Sequence, residues 1–201
     1  GESNVAMGWK ALNSNTTADN NTAVGMSALL ANTTGDRNVA VGTSALLQTT
    51  TGQNNTAVGY EAGCKTLDSV GNSAFGYEAL QNNTTGDSNT AVGYRAACAN
   101  STASGTTAVG TYSLKANTTG ASNAAVGYYS LLTNTTGASN TAVGYESLYA
   151  NQTADNNTAI GTASLVTNTT GFNNTAVGNS ALANNTTGHD LIAVGCGALF
   201  C

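Results

Sequence analysis

His189 is the only histidine in 201 residues, so a Ser-His or Cys-His nucleophilic pair would have to be built on that one ring. Paired carboxylates have one opening. Glu61 and Glu78 stand seventeen residues apart and would stack about 5 Å from each other on neighbouring strands. On a solvent corner such a pair is not set up for acid–base work. Four cysteines are present. Cys64 and Cys98 share one repeat position two repeats apart, a separation of about 10 Å at one strand per repeat, beyond the ~7 Å Cα limit of a disulfide. Cys196 and Cys201 fall at the end of the chain, where pairing between chains is the open alternative to reduced thiols. No cysteine spacing resembles CxxC, and a calcium roll would need Gly-Gly-x-Gly-x-Asp, which is absent. The glycines are isolated turn residues and not a phosphate cradle. No catalysis and no cofactor are expected.

Binding chemistry has more material. Tyr60, Tyr77, Tyr94, Tyr128 and Tyr145 all follow a glycine at the same repeat position, with Trp9 and Met26 there earlier and Tyr112 and Tyr129 one position later. Rings in such a column form a structural ladder or, since aromatic faces suit sugars, a glycan-contact strip. Asn15, Asn32, Asn83, Asn100, Asn117, Asn134, Asn151, Asn168 and Asn185 each head an N-x-S/T sequon at one repeat position. They would carry a row of N-glycans in a host with the machinery. An Asn ladder hydrogen-bonded along a stack explains these residues structurally and is the preferred reading, with glycosylation the functional alternative.

What must position these residues is a period. The glycine of an Ala-x-Gly triplet recurs every seventeen residues from Gly8 to Gly195, twelve times, with no insertion or deletion. Such strictness marks stacked equivalent units. The unit reads N-T-A-V-G-Y-x-A-L-x-x-N-T-T-G-x-x. Thr-Ala-Val and Ala-Leu are two strand candidates, separated by Gly-rich corners. A short helix over Tyr-x-Ala-Leu-Leu-x-Asn would have only about two turns, too few to hold alone. The predicted fold is all-β, a parallel β-solenoid (β-roll) of twelve 17-residue coils forming one domain over residues 1–201. Neither terminal repeat has a polar cap, as expected of a segment of a longer array.

Strand alternation then places Ala and Val on opposite faces. The small Ala implies a thin interior. Val24, Val41, Val58, Val92, Val109, Val126, Val143 and Val177, joined by Leu from the second strand, would form an apolar stripe outside. Soluble monomers rarely expose a ribbon of that length, so these Val residues are oligomer-interface candidates.

Fifteen charged residues and a net charge of −5 leave no basic footprint for nucleic acid, and no apolar stretch is long enough for membrane insertion. Disorder is disfavoured because a disordered chain has no reason to hold a register. Nine of the charges mark two corners: Lys10, Glu61, Glu78, Arg95 and Glu146 after the glycine, and Asp19, Asp36, Asp87 and Asp155 before the strand.

The units Asn55–Tyr60 and Asn140–Tyr145 (Asn-Thr-Ala-Val-Gly-Tyr) resemble the head repeats of YadA-like trimeric autotransporter adhesins. The longer unit, through Asn-Thr-Thr-Gly, is similar to repeats in phage tail-fibre proteins and bacterial surface proteins. The resemblance implies a left-handed, homotrimeric roll on a cell surface or virion, acting in extension and attachment, with a cell-surface glycan or receptor as partner. Two alternatives stand beside it: a self-assembling extracellular filament of end-to-end solenoids, and an ice-binding solenoid using its Thr columns. An enzyme is the least supported class.

Overall fold

Thr-Ala-Val places β-branched residues either side of a small one, which suits a short pleated strand. The glycine that follows ends it. In a computed structural model describing residues 1–200, that glycine holds φ between 127° and 138° in every repeat. A Cβ on Gly59 would lie 2.4 Å from the carbonyl oxygen of Gly76 in the next coil, so both conformation and close approach demand glycine here.

The chain forms twelve strands of three residues, from β1 (Val5–Met7) and β2 (Thr22–Val24) through β6 (Thr90–Val92) to β12 (Ile192–Val194). They make one twelve-stranded parallel sheet in sequence order, each strand bonded to the next repeat's. Register follows the period: Ala40 faces Ala57, and Val41 faces Val58. Eleven pairings give about eleven coils and a rod about 50 Å long at ~4.8 Å per pairing. The fold is an all-β parallel solenoid.

The second strand expected at Ala-Leu does not form. The residues two and four after each glycine adopt left-handed backbone, as at Glu78 (φ 51°) and Leu80 (φ 53°). Alternating hands bend the chain instead of extending it. The Ala79 N–H donates back to Gly76 O at 3.4 Å, and Asn83 N–H to Leu80 O at 3.3 Å. Coil-to-coil bonding nevertheless continues through the bend, with Leu80 N–H donating to Ala96 O of the next coil at 3.0 Å.

The bend also corrects the expected outward stripe of Val with Leu. Leu29, Leu46, Leu80, Leu114, Leu131, Leu148 and Leu165 are buried, pointing inward against the strand Ala column. At the position four after the glycine the left-handed backbone turns the Leu side chain into the core, and the small Ala opposite leaves the space that it fills. Each such side chain contributes about 1.5–3 kcal/mol on burial, which offsets the ~1–2 kcal/mol that left-handed backbone costs a non-glycine residue.

A third left-handed residue precedes each strand, as at Asn54 (φ 57°) and Ser88 (φ 57°), with Gly71 and Gly105 in the same place. Ala163 (φ 53°) takes the first of the three positions with no core contact to repay its strain. Ala163→Gly is therefore expected to stabilise the rod by about 1 kcal/mol, opposite to the usual sign of Ala→Gly. Chemical denaturation compared with wild type checks this, and a loss of stability would refute the strain argument.

Candidate functional site

Two columns of side chains leave the sheet on its outer face. One holds the first strand residue (Thr22, Thr56, Thr90, Thr141) and the other the third (Val24, Val41, Val58, Val92, Val109, Val126, Val143, Val177). The middle Ala is buried between two half-exposed or exposed neighbours in every strand between the first and the last of the sheet. From Val5 and Met7 to Ile192 and Val194, no outward strand residue is charged. Val92 and Val126 are each 38% exposed, and Phe75 stands in the same column at 39%. The Thr column was legible in the period-two alternation that placed Val outside. Reading Val alone missed it as the other half of the face.

The tyrosine column flanks this face beyond the glycine. Tyr60 stacks on Tyr77 at 5.2 Å between centroids with 11° between planes, and Tyr77 on Tyr94 at 5.1 Å and 10°. Tyr94 meets Tyr112 edge-on at 5.3 Å, and Tyr112 stacks on Tyr129 at 5.6 Å. Tyr129 touches Tyr128 at 3.9 Å, and Tyr128 stacks on Tyr145 at 5.9 Å. Tyr149 joins Tyr129 edge-on at 6.3 Å. It had no place in the sequence-based strip because it lies five residues after its glycine. All eight tyrosines of the chain thus form one connected array. Stacking consumes ring faces, so the run Tyr60–Tyr77–Tyr94 offers edges and hydroxyls along most of its length.

Carboxylates sit beside the phenols. Hydrogen bonding to Glu61 raises the pKa of Tyr60 above its ordinary value, and Glu78 and Glu146 do the same for Tyr77 and Tyr145. Hydrogen bonding to Tyr129 pushes Tyr128 up to about 12. Glu61 and Glu78, the pair considered for acid–base work, are drawn to different partners. Glu61 accepts from Gln81, and Glu78 pairs with Arg95 at 2.6 Å. His189 lies exposed, stacked on Phe172 at 4.7 Å with Nδ1 at 2.8 Å from Asp190. Hydrogen bonds from Asn173 and then His189 hold the Asp190 carboxyl below its usual range. Among the described residues, no three His, Cys, Asp or Glu side chains cluster as metal ligands.

The sequon asparagines point inward. Asn32, Asn83, Asn100, Asn117, Asn134, Asn151 and Asn168 are fully buried, and Asn15 and Asn185 are half-buried in the terminal repeats. Asn117 Nδ2 donates to Asn100 Oδ1 of the preceding coil at 2.9 Å and to Gly120 O of its own turn at 3.0 Å. Asn134 repeats the pattern on Asn117 and Gly137. The atom to which a glycan would be joined is thus a buried donor at these seven positions. A second ladder runs through the Asn before most strands, with Thr106 and Leu191 in its place before two of them. Asn38 N–H donates to Asn21 Oδ1 at 2.9 Å, and Asn38 Nδ2 to Gly52 O at 2.8 Å. The first ladder breaks at Thr49 and Thr66, where both hydroxyls and Asn32 Oδ1 have no partner. Ser69 bridges the gap by accepting from Asn72 and Asn83.

Cys64 and Cys98 are free and buried, and Cys196 is free and exposed. Cys201 lies outside the described residues. Compared with family models, curated proteins and solved structures, the chain gives no match.

Two outcomes follow. Asn134→Ala removes the donor to Asn117 Oδ1 and the acceptor of Asn151 Nδ2, while Gly137 O keeps Asn123 Nδ2; it should cost about 1–3 kcal/mol in denaturation, and a cost under about 0.5 kcal/mol would show the ladder to be incidental. Burial pushes the Cys64 and Cys98 thiols up, so at neutral pH fewer are thiolate than in a free cysteine. A maleimide probe mapped by peptide mass should label Cys196 well before Cys64 and Cys98, which gain reactivity only as pH rises past the ordinary thiol range.

Proposed function

We propose that this chain is a structural and adhesive segment of an extracellular fibre, a surface adhesin or phage tail fibre, in which rods associate side by side. The observation that carries this reading is the unbroken uncharged outer face of the sheet, two residues wide and about 50 Å long. None of the chain's fifteen charged residues lies on it. A charge-free face with an apolar Val column beside a column that is mostly Thr, bordered by aromatics on one side, suits an interface core, where charged residues are depleted. Soluble monomers seldom leave so long a ribbon open to water.

The occupant is a second and a third copy of the same chain. The strict period gives each rod the same face at every coil, so copies can meet in register along their full length. Three copies and a left-handed coil are the arrangement implied by the similarity to adhesin-head repeats. The corners and the tyrosine edge remain outside the bundle for attachment to a glycan or receptor. Stacked rings favour contacts through hydroxyls and edges there. The molecule's work is extension and attachment, and no step of it is chemical.

Light scattering with electron microscopy of the same sample tests the reading. A discrete particle of three chains is expected. Val92→Asp with Val109→Asp should reduce it to one chain while circular dichroism stays unchanged, because both side chains already face outward in the single rod. A wild-type protein that is a clean monomer overturns the oligomeric reading. Long filaments replace it with end-to-end assembly.

A further inference from the structure

The tyrosine array has a property that neither extension nor attachment requires. Every tyrosine in the chain is within one connected set of rings, from Tyr60 to Tyr149. Tyr60, Tyr77, Tyr94, Tyr128 and Tyr145 are 42–48% exposed. In the runs 60–77–94 and 128–145 the rings are within 9–11° of parallel. Because the coils are in register, stacked rings bring like-named ring carbons over one another. A modest rotation of two exposed side chains brings the ortho carbons of neighbouring rings together.

We propose that this array is a site of oxidative cross-linking, in which a haem peroxidase and hydrogen peroxide join tyrosines of successive coils as dityrosine. Each of two phenols gives up one electron and its O–H proton, and becomes a phenoxyl radical. The radicals combine through a new carbon–carbon bond between ortho positions, and the two displaced ring protons return to the oxygens. Hydrogen peroxide accepts the two electrons and two protons and leaves as two waters. The link therefore costs the chain two hydrogens.

Phenol oxidation at neutral pH needs a base for the proton, and the array supplies one. Glu61, Glu78 and Glu146 directly follow Tyr60, Tyr77 and Tyr145 in the chain. These neighbouring carboxylates raise the pKa values of the phenols beside them, and Glu61 and Glu78 also keep Gln81 and Arg95 as partners. Holding both rings in place makes coupling a reaction within one molecule, which outpaces encounter between separate chains. The product is a covalent staple between coils that otherwise meet through hydrogen bonds and packing. This holds for a single rod as well as for a bundle, so it does not rest on the oligomeric reading.

The test treats the dilute protein with horseradish peroxidase and limiting hydrogen peroxide. Dityrosine fluorescence, loss of two hydrogens per link and peptide mapping are read together. The expected links are within one chain, at 60–77, 77–94 and 128–145, with migration of a single chain on a denaturing gel. Tyr77→Phe keeps the ring and the fold; it should abolish the first two links and leave 128–145 intact. Glu146→Gln should slow the 128–145 link at neutral pH by about a hundredfold, as loss of a positioned base does, and an unchanged rate removes the carboxylate from the step. Links only between chains, or intrachain links scattered without regard to coil register, overturn the proposal.

Discussion

The rod depends on buried asparagine amides. A coil only seventeen residues around has an interior narrow enough that its turn carbonyls and N–H groups face inward with little else to bond. Buried peptide groups left unpaired each cost about 1–3 kcal/mol. Asn117 Nδ2 closes its own turn on Gly120 O and reaches Asn100 in the preceding coil. Asn38 binds Asn21 Oδ1 through its N–H and the following coil's Gly52 O through Nδ2. One side chain thus settles the turn and the stacking distance together, and the period cannot drift by a residue without orphaning both.

With polar groups handled by these two ladders, the apolar core can be very plain. Strand Ala and bend Leu fill it, and the Leu reaches inward only because its backbone is left-handed. Glycine after the strand then lets coils approach closely at a corner where a Cβ would meet the next coil's backbone. The three devices support one another. The small Ala needs the inward Leu, the inward Leu needs the alternating bend, and the bend needs the Asn amide to close it.

Everything not used inside is displayed in columns outside. A repeat that stacks in register multiplies any surface residue into a line, which is why one Tyr per coil becomes a stacked array and one Val becomes a ribbon. This coupling of period to surface explains how a chain with little chemical variety can present long, uniform edges. It also confines individuality to the repeats that deviate. Thr49, Gly63 and Thr66 weaken the interior near one another, and Ser69 bridges the gap left in the ladder.

The seventeen-residue spacing alone determined the solenoid, the strand at Thr-Ala-Val, the in-register pairing and the outward Val column. Each follows from strand alternation and from equivalence of units, which are local rules. Only the tertiary structure decided that Ala-Leu is a bend, because left-handed Leu is unfavourable locally and is chosen for the core it fills. It decided likewise that the sequon asparagines face inward. The same Asn-Thr-Thr is an acceptor site on an open loop and a ladder rung in a closed coil, and sequence carries no sign of which side of the turn the amide takes. Tyr149 entered the aromatic array for a similar reason: its position, five residues after its glycine, meets the neighbouring column only once the bend folds the chain back.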